Sequence, residues 1–137
     1  DVKGSDWNLD TLATVVTRKA TGRGSTGDCA LYVRKALQAS QIKQFFAGGL
    51  GHANQMPTQL VRMNWVAVGQ NVTDWKKGDI VVFQRTNTRL GQKYGHVAIY
   101  NGSQWVSDFI QPSVQPNRKD SLTYTLYRAR YGYTKGA

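Results

Sequence analysis

The chain has 137 residues, 40% of them apolar and 19% charged, and carries a formal net charge of +10. That length supports one hydrophobic core, and that composition excludes a disordered chain. No run approaches the length of a membrane span or resembles the apolar core of a secretory signal, so neither membrane insertion nor a signal peptide is expected.

Without an internal repeat or a linker, residues 1–137 read as a single domain. "NLDTLATVVTRKA" offers Asn8 or Asp10 as a cap and then Leu12, Val15 and Val16 at helical spacing, which predicts a first helix. The turn formers of "TGRGSTGD" follow. "CALYVRKALQAS" sets Leu31, Val33 and Leu37 among good helix formers, with Asp28 or Thr26 as the cap and Cys29 in the first turn. "FFAGGLGHANQMPTQLVRMNWVAV" reads as a glycine turn, a short helix and an extended piece ending near Val68. "GDIVVF" is a near-continuous apolar run after a Lys-Lys-Gly turn, the pattern of a buried strand. "HVAIYNGSQWVSDF" reads as two strands joined by a tight Asn-Gly turn. The alternation in "SLTYTLYRARYGY" adds one more strand. Helices first and an antiparallel sheet afterwards make an α+β layout.

The inventory of reactive groups is small. All eight acidic residues are aspartates, which removes every mechanism that needs a glutamate base, including the HExxH metalloprotease pattern. One cysteine means no internal disulfide. A thiol at a helix N-terminus meets unpaired backbone N–H groups and the positive end of the helix dipole, which favour the thiolate. The glycine-rich stretch before Cys29, which ends in Gly27 and Asp28, lets backbone approach a substrate and aim amides at an oxyanion. Such a nucleophile needs a base, and only His52 and His96 titrate near neutrality. His96 opens a strand, and Asp108 stands twelve residues later across the hairpin, where the open ends of two strands are neighbours. Asp108 is therefore expected to accept the second ring N–H, giving a triad of Cys29, His96 and Asp108. No CxxC or HxxxH spacing supports a metal site, and no cofactor is expected.

At these residues the chain resembles the bacterial cell-wall cysteine hydrolases of papain-like fold, the CHAP domains and their NlpC-type relatives. "GDCALYVRKAL" is similar to the family's cysteine helix, "GDIVVF" to the strand before the catalytic histidine, and "GHVAIYNGSQWVSD" to the histidine strand and its hairpin. "GHANQMPTQL" is similar to a glycine–x–Ala–Asn segment of CHAP domains and of type VI secretion amidase effectors. The third catalytic position in relatives is commonly His, Asn, Gln or Glu, where this chain offers Asp108; His52 stands where relatives often have Asn.

The resemblance implies a papain-like α+β fold, with N-terminal helices packed on an antiparallel sheet. It implies hydrolysis of an amide bond in the peptide stem of peptidoglycan through a Cys29 thioester. His96 would be the base and then the acid, Asp108 the orienter, and His52, Asn54, Gly27, Asp28 and Tyr94 would line the substrate groove. A small basic domain of this kind, with no wall-binding module of its own, fits a monomeric antibacterial toxin or lysin. Such a domain would be delivered or secreted to the periplasm and cell wall and matched by a cognate immunity protein. Two other readings compete: a papain-like protease or deamidase toxin acting on a protein, and a basic RNA-binding or RNase domain. The positive charge is spread along the chain rather than gathered in an arm, so no nucleic-acid partner is expected.

Overall fold

In a computed structural model, residues 9–20, 29–39, 52–62, 65–117 and 119–129 are described. Helices come first: α1 (Leu9–Lys19), α2 (Cys29–Ala39) and α3 (Met56–Arg62), the last entered through a 3-10 turn at Ala53–Gln55. The strands β1 (Trp65–Gln70), β2 (Ile80–Phe83), β3 (His96–Tyr100), β4 (Trp105–Val106) and β5 (Thr125–Ala129) follow, with the short helix α4 (Arg89–Tyr94) between β2 and β3. They form one sheet in the order β1-β5-β2-β3-β4, and every pairing in it is antiparallel. The expected α+β layout is what the chain adopts.

The alternation of the strands sorts their side chains between two layers. Ile80, Val82, Val97, Ile99 and Val106 point into the cluster formed with Leu12 and Val16 of α1, Val33 and Leu37 of α2, and Met56 and Leu60 at α3. Val81, Phe83, Ala98, Trp105 and Leu126 form a second cluster, covered by Trp75, Val114 and Leu122 from the loops. Both faces of β2 and the middle of β3 are buried, which explains why their sequences are apolar runs rather than alternating ones. Asp79, only 1% exposed, ties β5 to the entry of β2 by accepting from Arg128 Nη2 at 2.8 Å, Arg128 Nε at 3.0 Å and the Lys76 N–H at 2.8 Å.

Three local readings need adjustment. Asp10 lies in the first turn of α1 rather than capping it, and Asn8, Thr26 and Asp28 lie outside the described residues. The β3–β4 turn is closed by the Asn101 N–H on the Gln104 carbonyl, so Gly102 (φ 102°) and Ser103 form its corners while the Asn101 side chain accepts from the N–H groups of Ser103 and Gln104. Glycine at the first corner is the arrangement that matches strand twist with a positive φ. Lastly, β4 stops at Val106, and Asp108 lies beyond it.

Candidate active site

The flanks of His96 place it. The Thr88 hydroxyl caps α4 by accepting from the Gly91 N–H at 2.9 Å, and the helix ends on Gly95 at φ 76°. A Cβ on Gly95 would collide with the Phe83 carbonyl and crowd that of Gln84. Only glycine therefore lets the chain pass from α4 into β3 so close to β2. His96 then pairs across the sheet with Phe83, and its ring lies 6.0 Å from the Phe83 ring and 6.5 Å from that of Phe109. It is 5% exposed.

Its Nε2 meets Gln111 Oε1 at 2.6 Å. The other end of that amide donates to the carbonyls of Ser113 (3.1 Å) and Val114 (3.3 Å). Two carbonyls can only accept, so the NH2 must face them and the oxygen must face the imidazole. An acceptor there requires the proton on Nε2. The neutral ring therefore keeps its lone pair on Nδ1, where a base needs it.

The sequence placed Asp108 in this position, and the structure places Gln111 there. The reason is the shortness of β4. After Val106 the chain folds back at once: the Ser107 N–H bonds the Phe109 carbonyl, Ile110 bridges to Val106, and the Gln111 N–H returns to the Trp105 carbonyl. That three-residue fold-back carries Gln111, not Asp108, onto Nε2. Asp108 is fully buried beside it, accepting from Ser107 Oγ at 3.2 Å, and close enough for its charge to act on the ring. Burial holds the His96 pKa below the ordinary 6.5, and the Gln111 hydrogen bond and then the Asp108 charge push it back up. The one sequence signal for Gln111 is that a glutamine is among the residues relatives use at this position.

Cys29 is the first residue of α2 and is 7% exposed. It sits at the turn whose N–H groups lack intrahelical partners. Cys29, Ala53 and Val97 share one packed cluster. Ala53 is flanked by His52 and Asn54, and Val97 follows His96, so the thiol's helix, the 52–54 segment and the histidine strand converge. His52 is exposed and stacks on Tyr94 with centroids 4.0 Å apart and planes at 19°. Asn54 Nδ2 donates to the Lys93 carbonyl at 3.0 Å, which holds the end of α4. Gly27 and Asp28 lie outside the described residues. Among the described residues, no three of His, Cys or Asp converge as a metal site would require, and no helix is long and apolar enough to cross a membrane.

A buried imidazole with one ring nitrogen occupied, opening a strand packed against a cysteine-headed helix, on helices followed by an antiparallel sheet, defines a papain-like α+β domain. The profile of the CHAP domain matches residues 19–121, and the chain belongs to that family. No match was found among proteins of curated function. Among solved structures, the chain is similar to one in the crystal structure of the type VI native effector–immunity complex Tae3–Tai3 from Ralstonia pickettii. The identity is 27%, the TM-score 0.72, and the match covers 90% of this chain and 99% of that one. The selenomethionine form of the same complex matches at 28% identity and TM-score 0.63, covering 86% of this chain and 99% of that chain.

Proposed function

We propose that Cys29 and His96 hydrolyse an amide bond in the peptide stem of peptidoglycan through a thioester. Peptidoglycan amidase toxin is the function that the CHAP family and the likeness to a type VI effector support for this chain. The mechanism rests most on one observation, His96 Nε2 meeting Gln111 Oε1 at 2.6 Å, which commits the Nε2 proton to the amide and assigns the base to Nδ1. Nδ1 takes the Cys29 proton as the sulfur bonds to the amide carbon. Backbone N–H groups at the start of α2 hold the oxyanion. Collapse breaks the C–N bond, the leaving nitrogen takes the proton from Nδ1, and the acyl group stays on sulfur. Water then adds to the thioester, giving its proton to Nδ1, and the carboxylic acid leaves as the thiol is reformed.

Gln111 orients the ring, and Asp108 supports the imidazolium that exists while Nδ1 holds the proton. His52 and Tyr94 offer stacked rings to the substrate, while Asn54 acts by holding α4 in place. The expected setting is the periplasm of a target cell, and the expected partner is an immunity protein of the kind that accompanies the Ralstonia effector. An RNA-binding reading loses Trp105 as a stacking platform. Trp105 is 2% exposed and packed against Trp75 (5.3 Å) and Tyr100 (5.0 Å).

The test is digestion of purified sacculi with muropeptide release read by mass spectrometry. Cys29→Ala and His96→Ala abolish release while circular dichroism and the melting curve show a folded domain. Undiminished release by folded Cys29→Ala ends the thioester mechanism.

A further inference from the structure

We propose that Lys93 is a specificity residue that binds a free carboxylate of the peptide stem, with the Tyr94 and His52 rings as the shelf beside it. This rests on the amidase reading above. Lys93 lies three residues before His96, and its Nζ stands 5.2 Å from the centre of the Tyr94 ring, which itself stacks on His52. Its backbone is pinned by the Asn54 amide on its carbonyl. The ammonium is exposed, while the ring beneath it is half-buried.

Several observations assign it to an incoming anion rather than to the fold. The ion pairs among the described residues are Lys77 with Asp10 and Arg128 with Asp79; Lys93 is in neither. Helix α4 reads RLGQKY and carries no acid to compensate it. Arg89, one helical turn back and also exposed, adds positive potential on the same side of α4. The Tyr94 face restrains a side chain that otherwise loses much rotamer freedom when it binds.

The stem supplies the complementary group. A glutamate linked through its side chain keeps a free α-carboxylate, and diaminopimelate keeps a carboxylate away from the chain. A cation on the helix that leads directly into the strand of the base is placed to read such a group near the scissile amide. The rings give that neighbourhood a flat apolar floor.

The measurement compares three defined muropeptides: one with both carboxylates free, one with the glutamate α-carboxyl as the carboxamide, and one with the diaminopimelate carboxyl as the carboxamide. Wild-type kcat/KM falls about fivefold to tenfold on one of the two amidated stems, chiefly through KM, as for a partly exposed charge-assisted hydrogen bond. The preference shrinks as salt rises. In Lys93→Met the ratio between the free and the disfavoured stem drops to about twofold, and Lys93→Arg, which keeps the positive charge and can also lie over the Tyr94 ring, restores most of it. Wild-type rates within twofold on all three stems overturn the proposal without recourse to any variant, and so does a Lys93→Met enzyme that keeps the wild-type ratio. Cleavage of none of the stems overturns instead the amidase reading on which the proposal rests.

Discussion

Replacing Gln111 with leucine isolates the contribution of the orienting amide. The substitution keeps much of the side-chain bulk but removes the acceptor that meets His96 Nε2 at 2.6 Å, in a site where the histidine is 5% exposed and Gln111 4%. Water has little access to replace it. A buried N–H left without a partner costs about 1–3 kcal/mol. The tautomer with the proton on Nε2 bears that cost, and it is the tautomer that leaves Nδ1 free. With roughly 1.4 kcal/mol per tenfold in rate, kcat falls about 10- to 100-fold. The rate–pH profile carries a second signature. The Gln111 hydrogen bond raises the His96 pKa against the dominant effect of burial, so its loss moves the acid limb of kcat/KM to still lower pH. Gln111→Glu reverses the sign, because a carboxylate on Nε2 stabilises the imidazolium and moves the limb upward. The assay is the initial rate on a defined muropeptide across the acid-to-neutral range, with a melting curve for each variant. A folded Gln111→Leu enzyme within threefold of wild-type kcat and with an unmoved acid limb refutes the assignment.

Asp108→Asn removes a charge that raises the His96 pKa, so the acid limb again moves down, and kcat falls as the imidazolium loses a neighbouring negative charge; a profile superimposable on wild type would remove Asp108 from the mechanism. Gly95→Ala forces a side chain into φ 76° and against the Phe83 carbonyl. The expected loss is about 3 kcal/mol, or roughly a 10 °C drop in melting temperature, with activity falling in step as His96 is displaced.

Features set by local chemistry were legible in the sequence. The apolar run of β2, the helical spacing after Leu9, the cysteine at a helix start and the histidine at a strand start all appear where the pattern placed them. What the sequence hid depends on short elements and tertiary pairing. Helix α4 has six residues, one of them Gly91, so it shows no apolar period; the Thr88 cap and the Gly95 exit define it. β4 has two residues, too few to show that alternation stops at Val106, and only a longer strand would carry Asp108 to the ring. Gln111 reaches His96 only because the chain doubles back through hydrogen bonds to Trp105 and Ser107, which no periodicity encodes. The pairing of β1 with β5 joins segments more than fifty residues apart and is likewise a product of the packed sheet.

The division of labour between Gln111 and Asp108 follows from the burial of the base. Removing an imidazole from water disfavours its charged form, and that is the largest influence on His96. A carboxylate bonded directly to Nε2 would oppose it more strongly than an amide does and bias the ring toward its charged form. A neutral amide on Nε2 fixes the tautomer while adding less bias toward the charged form. A charged aspartate that does not occupy Nε2 then supplies support once the proton has arrived. A buried base thus stays neutral at rest without being prohibitively costly to protonate during turnover. On this reasoning the amide belongs on the ring and the acid beside it, and exchanging their roles by pairing Gln111→Glu with Asp108→Asn would yield an enzyme with its acid limb displaced upward and a lower rate at neutral pH.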